Sequence, residues 1–355
     1  MNVLLSGNGT PMRTSAIAGS SLAAMFLCAL ICAISGAAQK ETEPPAPAQA
    51  IRVQVEMVSI PVVVTDQAGN HIRDLNKEDF TIFEDGVAQE ISGFAAVEEP
   101  ISVALAIDTS GSTEFQLGRI RQEAMRFVRL LRNDDSIAIV SFADDVTLLE
   151  PFNIYHKKNA EALRKLKPGG LSAVYEGVWL SLEQVLKLEY GRKALVLFSD
   201  GLDNRSETVT EEETLDLARR TESTIYCIYF NTNKDRPKRM PQVIDPAMEG
   251  AVSPFPAQWP PIKIPTGRGQ NPEYAAGLEY MTKLAHYSGG TLVDASRIDS
   301  LGAAFSRIAQ ELRSQYSLGY YPKNAKRDGT FRKIEIRVRR PGIKARTKQG
   351  YYFAK

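Results

Sequence analysis

Residues 101–113 read ISVALAIDTSGST, and the change of character midway through this stretch decides the fold. Its first half is dominated by apolar residues up to Ile107. Asp108, Thr109, Ser110, Gly111, Ser112 and Thr113 follow at once. An apolar run of strand length is the mark of a strand buried on both faces, and such strands belong to parallel sheets covered by helices. In open α/β sheets, sites form at the C-terminal ends of the strands. One carboxylate and four hydroxyls at such an end fit two readings. One is an ordinary strand-to-helix turn with Ser112 or Thr113 capping the next helix. The other is an oxygen-lined cage for a hard metal ion.

Working outward, the same texture repeats. LGRIRQEAMRFVRLLR (Leu117–Arg132) places Ile120, Ala124, Phe127, Val128 and Leu131 on one helical face. SIAIVSF is the next strand, and VTLLEPF follows it. AVYEGVWLSLEQVLKL (Ala173–Leu188) reads as a second amphipathic helix, and KALVLFSD as a strand ending at Asp200. Helix EEETLDLARRT, strand STIYCIYF, a helix over EYAAGLEYMTKLAHYSG with Gly289 as its stop, strand GTLVDA and helix SLGAAFSRIAQELRSQ complete the series. The expected class is α/β, a doubly wound, mostly parallel, Rossmann-like sheet.

The flanks differ. From Ile51 to Glu98 the chain is β-branched and punctuated by turn pairs, Gly69-Asn70 and Asp85-Gly86. The tail from residue 314 to 355 returns to the same texture, with Ile334, Ile336 and Val338 on one face and Lys333, Glu335, Arg337 and Arg339 on the other. We therefore expect a smaller β-sandwich-like domain built from both chain ends, residues 51–98 pairing with 314–355, with the α/β domain (99–313) inserted in it. Residues 231–271 interrupt the α/β rhythm with a basic piece and a Pro-rich piece around Trp259, and read as a long surface insertion. The basic tail from Arg332 to Lys348 reads as a solvated strand face, with an anion site as the alternative.

Bulk numbers bound the function. The chain has 355 residues, 43% of them hydrophobic and 24% charged, as in a folded globular protein. Its net charge of +1 supplies no global field for nucleic acid. Arg13, an apolar run from Ala16 to Ile34 and small residues up to Ala38 read as an export signal over 1–38, followed by a Pro/Ala/Glu linker over 39–50. A retained membrane anchor is the alternative; with cleavage, no stable span remains and the protein is secreted, periplasmic or envelope-associated. Cleavage leaves Cys227 alone of the three cysteines, inside an apolar strand and inert. No phosphate loop of the form G-x-x-x-x-G-K-[ST] or G-x-G-x-x-G occurs. His71, His156 and His286 stand alone, as surface or core residues.

The chemistry concentrates at two strand ends. Asp108 and Asp200 end two central strands and converge on one crevice. Ser110 and Ser112 alternate with Thr109 and Gly111, so Asp108, Ser110 and Ser112 can face one point. Ser172 immediately precedes a helix, in a third loop where Gly169 and Gly170 permit close backbone approach. All these donors are oxygen, with no paired Cys or His, which disfavours zinc and copper. The set is lean in carboxylate for strong Ca²⁺ binding, while Mg²⁺ keeps waters and needs few protein ligands. The expected cofactor is Mg²⁺, with Mn²⁺ and Ca²⁺ as alternatives. The ligand completing the shell is an Asp or Glu carboxylate from a partner protein.

The DTSGS pentapeptide resembles the D-x-S-x-S signature of the metal-ion-dependent adhesion site in von Willebrand factor A domains. GGLSAVYEG is similar to the family's G-G-x-T-x-L-x-D segment, and LVLFSDGLDN to its second aspartate strand. The resemblance implies a metal shell of Asp108, Ser110, Ser112, Ser172 and Asp200. Ser172 stands where the family usually carries Thr, and Glu176 where it commonly has Asp; Glu176 is left without a role. Asp203 and Asn204 are expected to shape the loop after Asp200. The flanks resemble secreted bacterial proteins related to von Willebrand factor A. The function so implied is a non-enzymatic, exported, metal-dependent protein-binding and adhesion module. The alternatives are a Mg²⁺-dependent hydrolase, for which Ser110 occupies the place of a general acid, and a scaffold with an idle metal site.

Overall fold

The computed structural model describes residues 57–97, 99–230 and 272–352. The export signal (1–38), the linker (39–50) and the insertion (231–271) lie outside the described residues.

The strand that ends at Asp108 lies inside a six-stranded sheet of order β10-β9-β8-β5-β6-β7. Its members are β5 (Ile101–Asp108), β6 (Ser136–Phe142), β7 (Val146–Asn153), β8 (Arg192–Ser199), β9 (Thr224–Tyr229) and β10 (Leu292–Asp294). All neighbours are parallel except β7, which closes one edge antiparallel to β6. The chain builds outward from β5 through β6 and β7. It then returns to the other side of β5 and builds outward through β8, β9 and β10. The crevice between β5 and β8 is thus the switch point at which a doubly wound sheet binds its ligands.

Pleating explains why β5 and β8 are apolar throughout. Ile101, Val103, Leu105 and Ile107 of β5, with Ala194, Val196 and Phe198 of β8, face one core, shared with α1 (Leu117–Leu130) and α6 (Leu301–Leu312). Ala104, Ala106, Leu195 and Leu197 face the opposite core, shared with α3 (Val174–Trp179), α4 (Glu211–Arg220) and α5 (Pro272–Tyr287). Each strand therefore lacks a face on which water would tolerate a charge.

Two elements depart from the sequence reading. Helix α2 (His156–Arg164) was not anticipated, because HKKNAEALR shows no clear apolar stripe; it buries Ala162 and Leu163 beside Asn159. The continuous helix expected over Ala173–Leu188 is α-helical only to Trp179, then π-helical over Leu180–Val185 and 3₁₀ over Leu186–Leu188. The buried Ser181 hydroxyl donates to the Gly177 carbonyl at 2.7 Å, competing for an acceptor of the helical ladder where it widens.

Strands from both ends of the chain form two four-stranded antiparallel sheets. One runs β13 (Lys344–Arg346), β1 (Val58–Thr65), β11 (Gln315–Tyr320), β4 (Ile91–Ala95); the other β14 (Gly350–Tyr352), β12 (Phe331–Val338), β2 (Phe80–Glu84), β3 (Val87–Gln89). Ile60 lies opposite Leu318, and Ile82 opposite Ile336. Their inner faces share a third core that includes Ile60, Val62, Ile82, Tyr316, Leu318 and Ile334. At the turn between β2 and β3, Asp85 and Gly86 both have positive φ, 49° and 81°, as a type I′ hairpin requires.

The basic tail corrects one expectation. Lys333, Glu335 and Arg337 are exposed, but Arg332 and Lys348 are buried, 1% and 2% accessible. Arg332 pairs with Glu84 at 3.2 Å inside the third core. Among the described residues no helix is long and apolar enough to cross a membrane.

Candidate metal centre

Three loops meet above the β5–β8 crevice, and backbone bonds lock them together. Thr109 donates its N–H to Phe142 O at 2.9 Å, which ties the first loop to the end of β6. Gly111 N–H donates to Gly170 O at 2.8 Å, and Gly169 N–H to Thr109 O at 2.7 Å, which lays the second loop against the first. Asp144 accepts the N–H groups of Gly170 and Leu171, at 2.6 and 2.9 Å. A Cβ built on Gly169 would lie 2.3 Å from the Ala143 Cβ, so this close approach favours glycine there.

The third loop follows β8. Asn204 accepts the Ser172 N–H on its side-chain oxygen at 2.7 Å and donates its own N–H to Ser172 O at 3.0 Å. Asp203 accepts the Tyr175 N–H at 2.9 Å in the first turn of α3, where the helix dipole favours a carboxylate. Glu176, left unassigned from sequence, accepts from Glu207 N–H, Thr208 N–H and the Thr208 hydroxyl at 2.9–3.0 Å. Burial would raise its carboxyl, but these donors hold it below the usual range. Glu176 therefore fastens the third loop to α3.

Within this frame the five sequence-nominated side chains come together. Asp108 accepts the Ser172 hydroxyl at 3.0 Å on Oδ2 and the Ser110 N–H at 2.9 Å on Oδ1; the Ser110 hydroxyl also bonds it. The Ser110 and Ser112 hydroxyls lie 3.1 Å apart, and Ser112 donates to Asp200 Oδ2 at 3.2 Å. All five thus belong to one connected network. The bland reading, in which these serines merely cap helices, fails for Ser110 and Ser112. Neither makes a side-chain cap bond to the 3₁₀ turn Gly111–Gln116 that opens the route to α1, and Thr113 instead donates to the Ser110 carbonyl at 2.9 Å.

Sequence reasoning missed one neighbour. Ser199, the last residue of β8, donates its hydroxyl to Asp108 Oδ2 at 2.7 Å and accepts the Gly201 N–H at 2.9 Å. Its place directly before Asp200 was the available signal. In a pleated strand, however, adjacent residues point to opposite faces, so adjacency to Asp200 does not by itself bring Ser199 to Asp108.

Asp108, Ser110, Ser172 and Asp200 are buried, with Asp108 fully so, and Ser112 is half-buried at the mouth. Burial pushes the Asp108 carboxyl up, against the lowering effect of the Ser110, Ser199 and Ser172 hydrogen bonds. Among the described residues no basic side chain forms an ion pair with Asp108. A buried carboxylate served only by neutral donors is a costly arrangement that a cation relieves. The donor set, two carboxylates and three hydroxyls, suits a hard, oxygen-seeking cation. Among the described residues no three His, Cys, Asp or Glu side chains gather where they would hold a metal ion. The two carboxylates here are joined by three hydroxyls.

Residues 102–252 match the model of the von Willebrand factor type A domain. The chain contains a von Willebrand factor type A domain. The matched region opens one residue into β5 and spans all three loops of the centre. No curated protein sequence matches the chain. Among solved structures, the chain is similar to the conserved hypothetical protein BatB from Bacteroides thetaiotaomicron, at 18% identity and TM-score 0.41, covering 60% of this chain and 98% of that one. It is also similar to the vWF domain of the type V pili tip protein Mfa5 from Porphyromonas gingivalis, at 13% identity and TM-score 0.40, covering 59% and 94%. A third is proximal thread matrix protein 1 from the mussel byssus with a zinc-occupied MIDAS motif, at 16% identity and TM-score 0.41, covering 63% and 48%.

Proposed function

We propose that this protein is an exported, non-enzymatic binding module whose A domain captures an acidic side chain of a partner protein through a divalent cation. Asp108, Ser110, Ser112, Ser172 and Asp200 would hold the ion, with Mg²⁺ as the expected metal. The observation that carries this reading is the single hydrogen-bonded network of those five side chains around the buried Asp108. A bound ion would supply Lewis acidity toward an oxygen of the partner. The chain's own residues prepare for it. The hydroxyls offer coordination without negative charge, so an approaching carboxylate meets less repulsion than it would at a carboxylate-rich site. Thr109, Gly169 and Asn204 keep the loops in register, and Ser112 is the most accessible of the five side chains. The antiparallel strands of the chain ends would act as a spacer, and segment 1–38 would direct export.

Isothermal titration of the purified protein with Mg²⁺ and Mn²⁺, beside Asp108→Ala, tests the reading. The expected result is saturable binding by the native protein and none by the variant. Equal heats from both proteins would overturn it.

A further inference from the structure

A second cavity, reached by Lys193 at the end of β8 opposite Asp200, lies where β1 and β14 face the end of α4 and the π-helical turn after α3. It encloses about 480 Å³, within the range of small-molecule sites. Met57, Leu182 and Leu217 give it apolar wall, while Lys187, Lys193, Arg220 and Lys348 give it positive charge. Three of these cations have carboxylate partners: Lys187 with Glu183 at 2.5 Å, Lys193 with Glu222 at 3.0 Å, and Arg220 with Asp216 at 2.8 Å. Lys348 differs. It is 2% accessible, and among the described residues no carboxylate forms an ion pair with it. Its Nζ donates to Thr221 O at the C-cap of α4, at a long 3.4 Å, and stands 5.7 Å from the Tyr351 ring centroid. An ammonium has three donors, and one weak acceptor does not repay its burial.

We propose that this cavity is a binding site for a small organic anion with a hydrocarbon body, its acidic group held by Lys348 and its body by Met57, Leu182 and Leu217. The site is independent of the metal centre. Burial pushes the Lys348 amine down to about 8, with the Glu222 carboxylate acting the other way. Glu183, Lys187, Lys193 and Arg220 are the other charged groups facing the cavity. An anion bound at Lys348 favours the ammonium, so above pH 8 binding takes up a proton and weakens as pH rises further.

The probes are octanoate, acetate and inorganic phosphate, titrated calorimetrically into the purified protein. Octanoate is expected to bind about tenfold or more tighter than acetate or phosphate, because only its chain uses the apolar wall. Lys348→Met is expected to weaken octanoate about tenfold or more, and Asp108→Ala to leave it unchanged. Failure of octanoate to bind, phosphate binding more tightly than octanoate, or Lys348→Met binding octanoate like the native protein would each overturn the proposal. Should Lys348→Met fail to fold, octanoate is titrated into the native protein above pH 8 in two buffers of different ionisation enthalpy. Proton uptake supports Lys348 as the seat of the anion, and its absence overturns it.

Discussion

Ser172, expected from the motif resemblance to replace a threonine, donates its hydroxyl to Asp108 at 3.0 Å. The missing methyl therefore leaves the oxygen where the network needs it. Ser172→Ala removes that oxygen alone and leaves the backbone pairing with Asn204 in place. It is expected to weaken Mg²⁺ binding about tenfold, while Ser172→Thr stays close to native. Titration of the two variants side by side checks this, and native-like affinity in Ser172→Ala would remove Ser172 from the shell. Glu176 carries a complementary lesson. An acid at a family position of uncertain role turns out to accept three hydrogen bonds from residues 207–208 and thereby to hold a loop.

Helix α5 crosses the segment after β8 with no clearance. Gly201 has φ +77°, and a Cβ added there would lie 2.4 Å from Gly277 O; one added at Gly277 would lie 2.7 Å from Asp200 O. The seating of α5 thus sets the height of the Asp200 loop. Gly277→Ala is expected to cost about 1–3 kcal/mol through overpacking, and to weaken Mg²⁺ binding as well. Gly118, exposed in α1 with nothing within 4 Å of a built Cβ, is the control. Gly118→Ala is expected to stabilise by about 0.5–1 kcal/mol and leave metal affinity alone. Urea unfolding and metal titration of the pair separate the two cases. An unaltered metal affinity in Gly277→Ala would break the link between α5 and the site.

Across the molecule, Glu84 joins strands that lie far apart in sequence. Its carboxylate accepts from Arg332 of β12 at 3.2 Å, from Tyr351 of β14 at 2.8 Å and from Tyr320 of β11. Glu84 and Arg332 are both buried. Removing one partner of a buried pair strands the other, so Glu84→Ala is expected to cost about 3–5 kcal/mol in urea unfolding. A loss under about 1 kcal/mol, the scale of an exposed pair, would mean that water reaches the cluster.

Most elements of the A domain, though not α2 or the break after Trp179, were legible in the sequence because hydrophobic periodicity is a local property. Unbroken apolar runs mark strands covered on both faces, and the 3.6-residue stripe of Leu117–Leu130 marks a helix with one buried side. The five oxygen-bearing side chains were legible too, since each sits at a strand end or before a helix. Partnership between distant residues was not. Ser199 beneath Asp108, Glu176 against residues 207–208, Gly277 against Asp200, and the burial of Arg332 and Lys348 depend on where one part of the chain crosses another. A basic residue in an alternating strand carries the same local signal whether its face meets water or another sheet. Only the assembled packing, which removes the water, decides between them.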